Sequence, residues 1–314
     1  MTQEKNLPPQ VVVIGSHAPG IFMRVHRVPK AGETIIGWDF QKPMDGGKGS
    51  NQAIAAAKLG LRTSFVGCLG KDRLASDAER WMHDVGIDLS HLYYSKMKST
   101  GVGFILLDDD GVPAMVTSMG ANEELDNDLV ERALDDLEGA QVMLTQFEIR
   151  PEVALHAAEV ARQHSIFSIV NPAPVSHIRA RDLSVADILT PNETEAKLLL
   201  GYEPDTEKEP IGLAKELLEQ SEAGCVLVTL GENGVVGADR VGTWRAIPPP
   251  VSVVDTSGAG DVFCAALAAG IVNGQNYRAA SQWACKVATL SVTKAGTIPA
   301  YPTLQEVEAF LCTL

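Results

Sequence analysis

VVDTSGAGDVFCAALAAG, residues 253–270, joins a glycine-rich turn to a long apolar run. Gly258, Ala259 and Gly260 are small enough for the backbone to approach a ligand closely, and the apolar run after Asp261 puts Val262, Ala265, Ala266 and Ala269 on one face of a helix. A glycine turn that enters a helix leaves N–H groups pointing outward from the helix's positive end. Such an end binds anions, and a phosphoryl group in transfer would be stabilised there. Asp261 beside it is then a candidate general base. A carboxylate at that place also complements a helix dipole, and glycines also make plain turns. Asp255 tips the balance, because two acids around a glycine turn are costly unless cations or phosphates use them.

Working outward from this turn, strand-like and helix-like stretches alternate, which is the pattern of a mainly parallel sheet covered by helices. VVVIGS (11–16) reads as a buried strand, Ser50 to Leu59 as a helix closed by Gly60, and TSFVGCLG (63–70) as the next strand. Further along, Leu125, Leu129, Val130, Ala133, Leu134 and Leu137 share a helical face before the strand QVMLTQFE (141–148), and Pro151 opens another helix. IFSIVNPAP (166–174), DILTPN (187–192) and CVLVTLG (225–231) continue as strands, with TEAKLLLG and IGLAKELLEQ as helices between them. The expected fold is α/β, a three-layer sandwich. Two stretches depart from the rhythm: residues 18–45 and 99–119 hold β-prone pieces, with DDDG as a hairpin turn. They are expected to form one small antiparallel sheet acting as a lid on a single domain spanning 1–314, since no repeat or linker divides the chain.

Composition narrows the partners. With 45% apolar and 21% charged residues the chain is an ordinary globular one, and 40 acids against 26 bases give a net charge of −14, which disfavours nucleic acid and anionic lipid. Five cysteines without a CxxC pair argue against disulfides and a zinc ribbon, so free thiols in a reducing cytoplasm are expected. The polar start MTQEKNLPPQ carries no signal pattern, and the longest apolar stretch, Val262 to Val272, is about half a membrane span of ~20 residues.

Three other places hold candidate chemistry. DGGKGSNQA (45–53) strips a turn of side chains and leaves Lys48 and Asn51 at a helix start; it is no Walker A loop, and alone it is as readily a structural turn. Beside an anion-binding helix end, Lys48, Asn51 and bare backbone would hold substrate hydroxyls. TPNETEAKLLLG (190–201) sets Asn192 as N-cap with Glu195 three residues on, a capping box that would also suit phosphates and Mg²⁺-bound water. Glu148 ends a strand, where ligands of open α/β sheets sit. The seven histidines show no metal spacing, and GSHAPG (15–20) lacks the GxGxxG fingerprint, which speaks against an NAD-linked oxidoreductase.

Taken in order, GS, GETIIG, GGKGSNQ, STGV, GAN, NPAP, TPNETEA, TLGENG and DTSGAGD resemble the ribokinase-like (PfkB) family of sugar and nucleoside kinases, in particular its ribokinase branch, from about Val11 to Leu311. The resemblance implies transfer of the ATP γ-phosphoryl group to a primary hydroxyl of a pentose or related sugar, D-ribose by default. Asp261 would be the base, and Gly258, Ala259 and Gly260 the anion hole. Gly47, Lys48, Asn51 and Glu148 match the sugar-contacting positions, while Asn192, Glu195, Thr229 and Gly231 match the side of ATP and Mg²⁺. Cys285 stands where relatives place Asn or His against the adenine. A monovalent cation, K⁺, would draw on Asp255, Ser257, Ser291, Lys294 and Gly296. The resemblance also implies a homodimer through the lid, whose apolar strands GFILL and MVTS a monomer would expose.

The sequence departs from the family's pattern at the cation, where Ala300 replaces a serine, and at the acceptor, where Ala18 and Gly20 replace an Asn and an Asp. One extra residue precedes GGKG, and Asp45 there would supply a displaced carboxylate. A nucleoside kinase of the same fold and a silent sugar- or nucleotide-binding regulator are the alternatives; the intact Asp261, Lys48 and GAG turn argue against the regulator.

Overall fold

A computed structural model describes residues 7–42, 44–111 and 113–314, so the first six residues of the polar start, with Pro43 and Val112 of the lid stretches, lie outside the described residues. The strand β1 (Val11–Ile14) organises the rest, because side chains alternate across a strand and all four of its residues are buried. Val11 and Val13 enter one apolar core and Val12 and Ile14 the other. A strand covered on both faces reads as an unbroken apolar run, and VVVI does.

β1 pairs in parallel with β4 (Thr63–Leu69) on one side and β8 (Val142–Gln146) on the other. Beyond β4 lies β5 (Leu92–Tyr94). Beyond β8 come β9 (Phe167–Asn171), β10 (Ile188–Leu189) and β11 (Cys225–Thr229), each parallel to its neighbour. β12 (Val235–Asp239) and β13 (Thr243–Ala246) close that edge antiparallel, giving a nine-stranded sheet in the order β13-β12-β11-β10-β9-β8-β1-β4-β5. On one face lie α1 (Gly47–Lys58), α2 (Arg73–Asp84), α7 (Ala259–Val272), α8 (Tyr277–Ser291) and α9 (Leu304–Leu311). On the other lie α3 (Asn127–Asp136), α4 (Pro151–Gln163), α5 (Glu193–Leu199) and α6 (Pro210–Ser221).

The expected sandwich is therefore present, and Pro151 does open α4. α1 begins three residues earlier than its apolar periodicity indicates, at Gly47, whose φ of +74° glycine adopts freely, and Gly46 caps it without a side chain. The α7 run is buried on every side from Asp261 to Gly270, not on one face, as a helix apolar all round must be.

The smaller sheet corrects one expectation. β2 (Gly20–Arg24), β3 (Trp38–Gln41), β6 (Val102–Leu107) and β7 (Pro113–Ser118) form a separate sheet in the order β3-β2-β6-β7. It is mixed rather than antiparallel, since β2 and β6 run parallel while the outer pairs do not. β2 follows β1 and β6 follows β5, two parallel strands of the main sheet, so both leave the same rim in the same direction. The small sheet therefore stands over the carboxyl ends of the main strands, and an ion pair from Lys42 to Asp77 of α2 ties it to the body.

Candidate active site

The close packing of α1 on the end of β1 sets the site. A Cβ on Gly49 would lie 2.4 Å from the Ser16 nitrogen and 2.5 Å from its carbonyl oxygen, so only glycine admits this approach. The Ser50 N–H then donates to the Ser16 carbonyl at 3.0 Å. The first turn of α1 is thereby held above the sheet's carboxyl rim, where Glu148 arrives two residues beyond β8. Its Oε2 accepts from the Ser16 hydroxyl at 2.7 Å and from the Lys48 N–H at 2.8 Å.

Asp261 lies in the first turn of α7 and is buried. The Asn51 amide donates to its Oδ2 and the Gln52 amide to its Oδ1, both at 3.1 Å. Burial pushes its pKa up to about 6, against the pull of the Lys48 charge and the two amides. Lys48 is itself shifted upward: burial works against its charge, but Asp261, Glu148 and Glu195 outweigh it. The residue is thus a charged ammonium among carboxylates.

Gln52 is a participant that sequence reasoning missed. Its Oε1 accepts from the Gln146 amide at 2.6 Å, and Asn171 donates onward to the Thr190 carbonyl at 2.8 Å. These amides form a buried polar row across the ends of β8, β9 and β10 that aims Gln52 at Asp261. The available signal was the polar pair Thr145 and Gln146 ending an otherwise apolar strand, both fully buried. His17 was also unremarked. Its backbone N–H and carbonyl are clasped by the Asn122 side chain at 2.9 Å each, which gives the GAN segment a structural task at the base of the small sheet. Burial lowers the His17 pKa to about 3, so the ring is neutral.

At the other end of the rim, Gly258 caps α7 with φ +74°, and a Cβ there would fall 2.4 Å from the Tyr301 hydroxyl. The N–H groups of Gly258, Gly260 and Asp261 meet no acceptor among the described residues. They are unsatisfied donors at the positive end of a long helix, which suits an anion. Next to them opens a cavity of about 540 Å³ reached by Asn192, Thr229, Gly231, Ala259, Gly260 and Cys285. Pro248, Pro249, Pro250, Val251, Val253 and Val292 give it apolar walls. The backbone of Thr229 donates to the Pro191 carbonyl at 2.9 Å, which brings the two loops together.

Asn192 and Glu195 form the expected reciprocal cap, each accepting the other's N–H at 2.8 Å. Burial raises the pKa of Glu195, and the carboxylate oxygen not used in the cap is free for a metal-bound water. Burial alone would raise the Asp255 pKa too, but the N–H groups of Ser257 and Gly296, at 2.9 Å each, hold it below the usual range. Asp255, Ser257 and Gly296 are thus brought together. Ser291 and Lys294 are not, as side chains: the Ser291 hydroxyl donates to the Ala288 carbonyl, and Lys294 pairs with Glu306 at 2.6 Å. Only their carbonyls remain for a cation. Among the described residues no group of three or more His, Cys, Asp or Glu side chains could hold a metal by itself.

Residues 9–304 match the model of the pfkB family carbohydrate kinases. The chain is 33% identical over 304 residues to a deoxyribokinase of Salmonella typhimurium, covering 96% of this chain and 98% of that one. It is 32% identical over 302 residues to a ribokinase of Haemophilus influenzae, again covering 96% and 98%. A solved ribokinase of Arabidopsis thaliana complexed with ribose and ATP superposes with a TM-score of 0.86 at 29% identity, over 97% of this chain and 99% of that one.

Proposed function

Because the chain belongs to the pfkB family of carbohydrate kinases, we propose that its site transfers the γ-phosphoryl group of ATP to a primary hydroxyl of a pentose or related sugar, D-ribose being the default acceptor. One observation carries the assignment. A buried carboxylate with a pKa near 6, Asp261, stands in the same helical turn as three unpaired N–H donors. A group so poised is ionised at neutral pH yet basic enough to take a hydroxyl proton, and the donors beside it stabilise charge on the group in transfer.

Each residue then has a task. Asp261 accepts the proton of the attacking hydroxyl, while Asn51 and Gln52 hold the carboxylate in place. The free N–H groups of Gly258, Gly260 and Asp261 receive the transferring phosphoryl oxygens, while Ala259, whose N–H donates to the Thr256 carbonyl at 3.3 Å, completes the turn. Lys48 offsets the negative charge, and Gly47, Asn51 and Glu148 hold the acceptor. The cavity bounded by Thr229, Gly231 and Cys285 takes the nucleotide, its apolar walls suiting a purine. Mg²⁺ supplies charge neutralisation on the phosphates when bound, and Asn192 and Glu195 are the residues that would hold its water shell.

A monovalent cation would sit by Asp255 on the carbonyls of Ser257, Ser291, Lys294 and Gly296. Its support is the N–H clamp on Asp255, which holds two loops at one place. The small sheet closes over the acceptor, and its exposed apolar side pairs with a second copy to make a homodimer. The need for ATP and the unpaired cysteines favour the cytoplasm; among the described residues no helix is long and apolar enough to cross a membrane.

ATP consumption with Mg²⁺ and K⁺ across ribose, deoxyribose, other pentoses, ketohexoses and nucleosides tests this function. A strong response to one sugar is expected. Silence on every sugar with turnover of a nucleoside would reassign the acceptor, and silence throughout with ATP still bound would overturn the kinase.

A further inference from the structure

Ala18 and Gly20 run along the turn before α1: the Ala18 N–H donates to the Gly46 carbonyl at 2.8 Å, and Asp45 of that turn reaches across to Gly20. A Cβ on Gly20 would lie 3.4 Å from Asp45 Oδ2, in contact with the carboxylate. The absent side chain at residue 20 is thus the space that Asp45 occupies.

The carboxylate is held at one oxygen only. Oδ1 accepts from the Asn51 amide at 2.8 Å and from the Gly47 N–H at 3.3 Å, while Oδ2 accepts no hydrogen bond from any described residue. The turn carrying it is anchored from behind, where the Ile298 N–H donates to the Met44 carbonyl at 3.1 Å. The same Asn51 nitrogen also donates to Asp261 at 3.1 Å, so a single amide touches both carboxylates. Whatever binds at Asp45 therefore lies within one small ring of the group that Asp261 deprotonates. Glu148 repeats the arrangement: Oε2 is used by Ser16 and Lys48, and Oε1 accepts from no described residue.

We propose that Asp45 is the residue that selects the acceptor, its Oδ2 taking a hydroxyl hydrogen next to the reacting carbon, so that the site prefers an uncharged polyol with neighbouring hydroxyls over deoxy and anionic analogues. It rests on the phosphoryl-transfer function proposed above. The chemistry follows from what a spare carboxylate oxygen can do. It accepts a hydrogen and donates none, so an analogue lacking the hydroxyl leaves it desolvated and unpaired. Asp45, Glu148 and Asp261 together outnumber Lys48, so a sugar acid or sugar phosphate meets net repulsion. A free sugar and a nucleoside both offer such hydroxyls, and the acceptor series separates them.

The test is steady-state kinetics of Asp45→Asn, Asp45→Ala and the double variant Asp45→Ala with Gly20→Asp, against a parent sugar, its deoxy analogues, its acid and a nucleoside. Acceptor affinity is measured in parallel by calorimetry without ATP. For Asp45→Ala the expected result is an acceptor KM raised about tenfold to a hundredfold, with kcat and the KM for ATP little changed, and a parent-to-deoxy preference reduced towards unity. Gly20→Asp in that background should recover at least part of the preference, because residue 20 points at the vacated place. Asp45→Asn keeps the volume while removing the charge and putting an NH2 donor at the place of Oδ2, so it should relax the exclusion of the acid and weaken the preference for a hydroxyl donor. An unchanged KM and acceptor ranking in both single variants overturns the proposal. So does an equal loss for all acceptors with no recovery in the double variant. Failure of the wild-type protein to phosphorylate any acceptor falls instead on the kinase function, and calorimetry then still reads whether Asp45 governs sugar binding.

Discussion

Asp261 gives the most direct prediction at the residue scale. Its folded-state pKa of about 6 lies above the ordinary aspartate value of 3.8. Only the ionised carboxylate serves as base, so kcat/KM should rise with pH, about tenfold per unit below 6, and level off above it. Asp261→Asn should lower kcat by about 10²–10⁴-fold and abolish the pH dependence while ATP affinity stays close to that of the parent. A variant that keeps its turnover, or a parent rate flat from pH 5 to 7, would remove Asp261 from the chemistry. The sign for stability is opposite to that of a salt-bridged acid. Because the folded state holds this proton more tightly than the unfolded chain, Asp261 makes the protein less stable as pH rises from about 4 to about 6 and costs the same at every higher pH. Asp261 itself was legible from the glycine turn beside it. Gln52 was not, because glutamine in a helix usually faces water, and only the three-dimensional row of Gln146, Gln52 and Asn171 shows that it points inward.

Among the elements, the start of α7 separates two kinds of glycine. Gly258 has φ +74°, and a side chain there would press on Tyr301 and Thr297. Gly258→Ala should therefore destabilise the fold by more than the ~1–3 kcal/mol of a strained backbone, with lower turnover following from the distorted turn. Gly260 lies inside the helix with open space around its missing Cβ. Alanine there improves helix propensity by about 1 kcal/mol, so Gly260→Ala should melt no lower than the parent yet lose phosphoryl transfer, its methyl filling the ligand's place. Thermal melts and rates of the pair check both; equal melting losses would show that residue 260 is structural. Elements were well signalled by the sequence where one period governed them, as in VVVI, the Pro151 start and the Asn192–Glu195 cap. The parallel β2–β6 pair was not, since local alternation gives no information on which distant strand a strand will meet.

For the whole molecule, the decisive feature is the bare side of the small sheet. Phe104 and Val116, cross-strand partners on β6 and β7, are exposed there at 48 and 66%, with Phe40 of β3 at 63%. Three large apolar side chains bared on one thin sheet favour association, and a sizing column should return twice the chain's 33.5 kDa. Phe40→Glu with Val116→Glu should shift it to the monomer, and a parent eluting as a monomer at micromolar concentration would refute the shared lid. The sandwich was legible at this scale because alternation along the chain leaves few architectures open.

The carboxylates and the cap asparagine of the site stand on separate segments at the carboxyl rim of the sheet: Asp45 before α1, Glu148 after β8, Asn192 after β10 and Asp261 in the first turn of α7. No two of them share a strand whose pairing would have to change if one were replaced. A carboxylate can therefore be lost from one loop and regained on another, as the contact between Asp45 and the bare Gly20 illustrates, while the two cores beneath stay intact. Such a framework can drift from one acceptor to another by single substitutions, each intermediate still folded and still able to hold ATP.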